Sequence, residues 1–81
     1  MKAEPTVQYH HALMKMPKNV REAAYKQVDR LVQNLRHPSL RAKKYDEAHD
    51  IWQARVTGTY RFYFVIQNGA YVLLDITKHP K

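Results

Sequence analysis

Apolar and polar residues alternate between Asp50 and Lys78 (DIWQARVTGTYRFYFVIQNGAYVLLDITK) in three runs: Trp52, Ala54 and Val56; Tyr60, Phe62, Phe64 and Ile66; Val72, Leu74 and Ile76. A period of two marks a sheet with one buried face. β-branched and aromatic residues fill the runs, and Thr57-Gly58-Thr59 and Gln67-Asn68-Gly69 separate them, so the pattern predicts three antiparallel strands joined by two tight turns. A two-residue turn on Asn68-Gly69 would set Ile66 opposite Tyr71 and Phe62 opposite Asp75, mixing core and polar positions. A three-residue loop, Gln67 to Gly69 with the glycine left-handed, sets Phe64 opposite Val72 and Phe62 opposite Leu74. A one-residue slip would turn every side chain over, so the hydrophobic pattern favours the longer loop. The same reasoning at Thr57–Thr59 places Ala54 opposite Phe62 and Arg55 opposite Arg61, with Arg61 facing Asp75 on its other flank. His79 shares the parity of Thr77, Asp75 and Leu73 and is expected near that face.

Before this stretch the periodicity lengthens. Thr6 is suited to cap a short helix through Met16 with Leu13 and Met16 inward, and Pro17 ends it. A second helix is predicted over about Pro17 to Arg36, where Val20, Ala24, Val28, Leu31 and Leu35 form one apolar stripe to pack on the sheet. It stops ahead of Pro38, because the residue before a proline disfavours helical geometry. Residues 1–5 allow a short edge strand whose pairing Pro5 limits. His37 to His49 reads as a connecting segment, anchored by Leu40 and Tyr45 and carrying a basic cluster of Arg41, Lys43 and Lys44.

Composition narrows the class. Eighty-one residues suffice for one modest core, so residues 1–81 are expected to form a single domain, and 44% hydrophobic content marks it as globular. There is no cysteine, which removes disulfide and thiol chemistry. A net charge of +7 and a pI near 9.9 favour an anionic partner, nucleic acid or an acidic protein. The opening MKAEPTVQYHH has no apolar run of the signal-peptide kind, and no later run reaches membrane-spanning length, so a cytoplasmic location and no membrane partner are expected.

Candidate chemistry is sparse. The histidines lack metal-ligand spacing, since His10 and His11 are adjacent and His37, His49 and His79 are scattered, so neither metal nor other cofactor is expected. Gly58 and Gly69 are both used in turns, leaving no phosphate-cradling loop, and Ser39, the sole serine, has no nucleophile elbow. What remains is Arg55, Arg61 and His79 beside the Arg41/Lys43/Lys44 segment. Directly opposed arginines repel. Either both extend into solvent with Asp75 relieving one, or the pair awaits a polyanion that arginine can grip bidentately. A histidine titrates near neutrality and can move a proton, while arginines supply positive charge where negative charge develops. Such a set suits a ribonuclease that leaves a cyclic phosphate, and equally suits RNA binding without cleavage.

In its motifs the chain resembles the RelE/ParE superfamily, toxins of bacterial type II toxin–antitoxin systems. The likeness covers about residues 6–79 through LMKMPKNVRE, HPSLRAKK, IWQARV, TYRFYFVI and YVLLDITKH. Trp52-x-x-Arg55, Tyr60-Arg61 and a late Lys78-His79 are its most specific combination. The resemblance implies an α+β fold with two N-terminal helices packed on one face of a small twisted antiparallel sheet, the other face binding RNA. It implies a metal-independent endoribonuclease that cleaves messenger RNA, in the ribosomal setting, and so inhibits translation. Arg61 would contact the scissile phosphate, Arg55 would stabilise charge, and His79 would act as general acid or base. Arg41, Lys43, Lys44 and Lys78 are the candidates for gripping messenger or ribosomal RNA. The implied protein partner is a cognate antitoxin that folds along the toxin, with DNA engaged only through that antitoxin. Two other functions stay open: a ParE-like toxin that blocks DNA gyrase without catalysis, and an inactive RNA-binding relative.

Overall fold

The structure, a computed structural model, describes residues 1–79. Along the chain come β1 (Lys2–Pro5), α1 (Val7–Met14), α2 (Lys18–Gln33), a 3-10 turn at Pro38–Leu40, β2 (Lys43–Asp46), β3 (Ile51–Arg55), β4 (Tyr60–Gln67) and β5 (Ala70–Lys78). All five strands form one sheet in the order β1-β5-β4-β3-β2. The expected α+β architecture is present, with two differences in the sheet. β1 lies parallel to β5, from Lys2↔Ala70 to Pro5↔Leu73, so the sheet is mixed rather than purely antiparallel. The supposed connector contributes β2, which pairs antiparallel with β3 through Lys43↔Gln53 and Lys44↔Trp52. Both additions are four-residue edge strands, too short to display a full alternation of their own.

Local signals set the helices. The Thr6 hydroxyl caps α1 by accepting from the Tyr9 amide at 3.1 Å, as predicted. The α1 helix ends at Met14, slightly before the expected Met16. α2 stops at Gln33 instead of Arg36 because Asn34 goes extended and its side-chain oxygen captures the Arg36 amide at 3.0 Å. Asparagine competes for backbone donors in this way and so tends to close helices.

The hairpin joining β4 and β5 corrects the predicted register. Asn68 and Gly69 both have positive φ, 53° and 74°, and form a two-residue turn between Gln67 and Ala70, which are paired. That is the left-handed geometry the short hairpin requires. The mixing of core and polar positions is avoided by a bulge at Leu74: pairing runs Ile66↔Tyr71 and Phe64↔Leu73, then resumes at Tyr63↔Asp75 and Phe62↔Ile76. One extra residue in β5 restores the parity that a short turn would otherwise spoil. Accordingly Ala70, Tyr71, Leu73 and Ile76 are the buried residues of β5, in place of the expected Val72, Leu74 and Ile76.

One face of the sheet presents Ala54, Phe62, Phe64, Leu73 and Ile76 to Tyr9 and Leu13 of α1 and Val20, Ala24 and Leu31 of α2, with Leu40 sealing the end. Each large apolar side chain so enclosed contributes about 1.5–3 kcal/mol. No helix among the described residues is long and apolar enough to cross a membrane.

Because Gly69 sits at φ 74°, Gly69→Ala should cost about 1 kcal/mol, read as a lower midpoint in chemical denaturation. An unchanged midpoint would contradict the left-handed turn.

Candidate nucleic-acid interface

Alternation sends Arg61 and Tyr63 of β4 to the face opposite Phe62 and Phe64, which leaves a sheet face uncovered by either helix. Arg55 of β3 stands directly across from Arg61, as predicted. On the other flank Arg61 meets Thr77, and Asp75 is opposite Tyr63, so Asp75 does not offset Arg61 as expected. The Leu74 bulge makes the difference.

The charge of Arg61 is instead met by carbonyl oxygens. Its Nη1 donates to Thr57 O at 2.6 Å and Tyr60 O at 3.0 Å, which bends the guanidinium over the β3–β4 turn. Within the described residues all its hydrogen bonds run through Nη1, leaving the Nε and Nη2 donors for a ligand. Arg55 reaches the same turn, with its Nη2 3.6 Å from where a Cβ would stand on Gly58. The turn itself is braced by the Thr57 hydroxyl, which accepts from the Thr59 amide at 3.1 Å and the Tyr60 amide at 3.2 Å. His79 joins from the end of β5 by donating its backbone N–H to Thr59 O. Its imidazole Nδ1 is buried and has no hydrogen-bond partner among the described residues. An unmet buried polar atom is costly. Arg55, Arg61 and His79 therefore converge on one three-residue turn.

The remaining basic residues divide. Lys43 pairs with Gln53 and shares the open face with the arginines. Lys44 turns to the other face, lying 5.4 Å over the Trp52 ring and donating to Asp50 at 2.7 Å. The hydrogen bond to Asp50 raises its pKa above the ordinary lysine value. Lys78 pairs with Tyr60 and shares its helix-side parity, with its side chain exposed. Arg41 is exposed at the end of the 3-10 turn, in a left-handed conformation with φ 47°. Strand parity thus separates Lys43 from Lys44, two neighbours that a sequence cluster treats alike.

Two contributors escape the sequence pattern. Gln27 of α2 is only 4% exposed and donates to Ser39 O at 3.1 Å and Arg55 O at 2.7 Å. Its Oε1 accepts from Arg30 Nη1 at 2.9 Å and from the Ser39 hydroxyl at 3.2 Å. It fastens the arginine-bearing end of β3 to the helix layer. The clue was its place between Ala24 and Leu31 on the buried stripe, where a polar residue needs partners. The second is Tyr45, which does not anchor to the core beside Leu40 as expected but is 62% exposed, with its ring 4.9 Å from that of Tyr63 on the open face. Tyr63 was accessible through its parity with Arg61, whereas Tyr45 required recognition of β2.

No family model and no curated protein matches this chain. Solved structures do. A YoeB/ParE toxin from Agrobacterium tumefaciens matches at TM-score 0.80 and 12% identity, over 99% of this chain and 100% of that one. The toxin–antitoxin complex RelBE2 from Mycobacterium tuberculosis matches at TM-score 0.75 and 23% identity, over 96% of each chain. An archaeal RelE–RelB complex from Pyrococcus horikoshii OT3 matches at TM-score 0.76 and 18% identity, over 95% of this chain and 92% of that one. The fold is therefore that of the RelE/ParE toxins along nearly the whole chain.

Gln27→Leu would strip partners from two carbonyls at the base of the site, and is expected to cost roughly 1–3 kcal/mol in urea denaturation. A variant as stable as the wild type would show that water can replace the amide.

Proposed function

We propose that this protein is the toxin of a type II toxin–antitoxin pair and acts as an endoribonuclease on messenger RNA, with the ribosome as its working site. The observation that carries this reading is the meeting of Arg55, Arg61 and His79 on the Thr57–Thr59 turn, on a face that neither helix covers. Similarity to toxins solved with RelB antitoxins supports the toxin role and a cognate antitoxin as partner.

In the proposed reaction the 2′-oxygen bonds to phosphorus while the bond to the 5′-oxygen breaks. The 2′-hydroxyl loses a proton, the 5′-oxygen gains one, and the products are a 2′,3′-cyclic phosphate and a 5′-hydroxyl. His79 exchanges one of these protons through its imidazole. The free donors of Arg61, with Arg55 beside them, hold the non-bridging oxygens as charge builds in the pentavalent state. Lys43 binds the flanking backbone and contributes a salt-sensitive share of affinity.

Primer extension on an mRNA translated by purified ribosomes should reveal cuts made by the wild type. His79→Ala should slow cleavage by about 10²–10⁴-fold, the usual worth of a positioned acid or base. Arg61→Ala should reduce it comparably, with Arg61→Lys recovering only part because a fork of donors becomes a point charge. Undiminished cutting by both alanine variants would overturn the residue roles. The YoeB/ParE match keeps a second reading in play, a non-catalytic block of DNA gyrase. Loss of supercoiling activity with no RNA cleavage would favour it.

A further inference from the structure

Beside the arginine turn the open face carries a second arrangement. Lys43, Gln53, Tyr63 and Asp75 form one row across four strands, and Arg55, Arg61 and Thr77 form the next. The rows are two residues apart along β4, about 7 Å. Tyr45 leans on Tyr63 with rings tilted 60°, and Tyr45 is 62% exposed. Together with Ile51, Leu74, Asp75 and Thr77 these rings line an open cleft of about 320 Å³.

Asp75 is out of place electrostatically. The other charged side chains in the two rows, Lys43, Arg55 and Arg61, are cations, and a carboxylate among them weakens attraction for phosphate. What it adds is a pair of adjacent acceptors, held in orientation. One oxygen accepts from the Ile76 amide at 2.9 Å and the other from Gln8 Nε2 at 3.2 Å. Each carboxylate oxygen retains capacity for a further donor.

We propose that this cleft holds one unstacked guanine of an RNA strand whose backbone lies over Arg55 and Arg61. The tyrosines supply aromatic surface for the base, and the Asp75 carboxylate accepts from the guanine N1–H and its exocyclic amino group. Guanine alone presents two adjacent donors there. Adenine and cytosine put an acceptor beside their amino groups, and uracil flanks its single N–H with carbonyls, so each sets an oxygen or nitrogen lone pair against the carboxylate. Recognition of splayed bases by stacking and edge hydrogen bonds is the usual mode for single-stranded RNA. The inference rests on RNA being the ligand of this face and is independent of whether cleavage follows.

Binding of 2′-O-methyl trinucleotides, which cannot be cut, isolates it. Titrating UpGpU, UpApU, UpCpU and UpUpU into the full chain, followed by amide chemical shifts, should show the guanine trinucleotide binding about tenfold tighter or better. Asp75→Asn should erase that preference, and Tyr45→Ala should weaken all four by about fivefold or more. Equal affinity for the four trinucleotides in the wild type, or a guanine preference that survives Asp75→Asn, would overturn the assignment. If the Asp75 variant melts early, the wild-type series and Tyr45→Ala still decide it. A guanine preference without ribosomal cleavage removes the ribonuclease reading and leaves the cleft standing. Cleavage without any guanine preference does the reverse.

Discussion

Burial of Phe62 and Phe64 against the two helices is the constraint on which the rest depends. Both are fully enclosed, and Phe64 also meets Trp52, Phe62 and Tyr71 at ring-centroid distances of 6.0, 5.8 and 5.6 Å. With two alternate residues of β4 committed to the core, pleating leaves Arg61 and Tyr63 no choice of face. Antiparallel pairing then carries that decision to β3 and β5, where Arg55 and Thr77 fall in line with Arg61. The arginine-bearing face of the protein is the reverse side of its core.

Opposed arginines normally work against a sheet, by about 0.2–1 kcal/mol for a directly facing pair. Here the turn absorbs the conflict, because the carbonyl oxygens of Thr57 and Tyr60 lie within reach of one guanidinium. Gln27 does related work from the other layer by binding the carbonyl of Arg55, so the strand end is held without consuming the arginine side chain. Backbone and amide groups thus satisfy the scaffold, while the charged donors remain open to an anion. Core, turn and buried amide together produce a concentrated positive patch that charge repulsion would otherwise spread apart.

Much of this was legible in the residues. Alternation over β3 and β4 gave Ala54 opposite Phe62 and Arg55 opposite Arg61, because both flanks of that hairpin are long enough for period two to be unambiguous. The stripe Val20, Ala24 and Leu31 located α2's buried side, and Thr6 announced the start of α1. β2 and the parallel seat of β1 were not legible, since four residues at an edge carry too little pattern. The bulge at Leu74 was hidden for another reason. Leu73 and Leu74 are both apolar, so hydrophobicity alone cannot say which of them turns inward.

By itself the sequence determined that the chain makes an amphipathic helix and a half-buried meander, and that Arg55 and Arg61 share one face. Those are consequences of local periodicity, which survives without knowledge of distant partners. Only the tertiary structure decided that Asp75 stands beside Tyr63 instead of Arg61, that Lys43 and Lys44 part to opposite faces, and that Tyr45 and Gln27 join the site. Each of those depends on how one element docks on another: a bulge set by packing, an edge pairing, and a buried amide bridging two layers. Long-range geometry of that kind is not fixed by any single stretch of chain, even where, as at Gln27, a polar residue on an apolar stripe signals that a partner is needed.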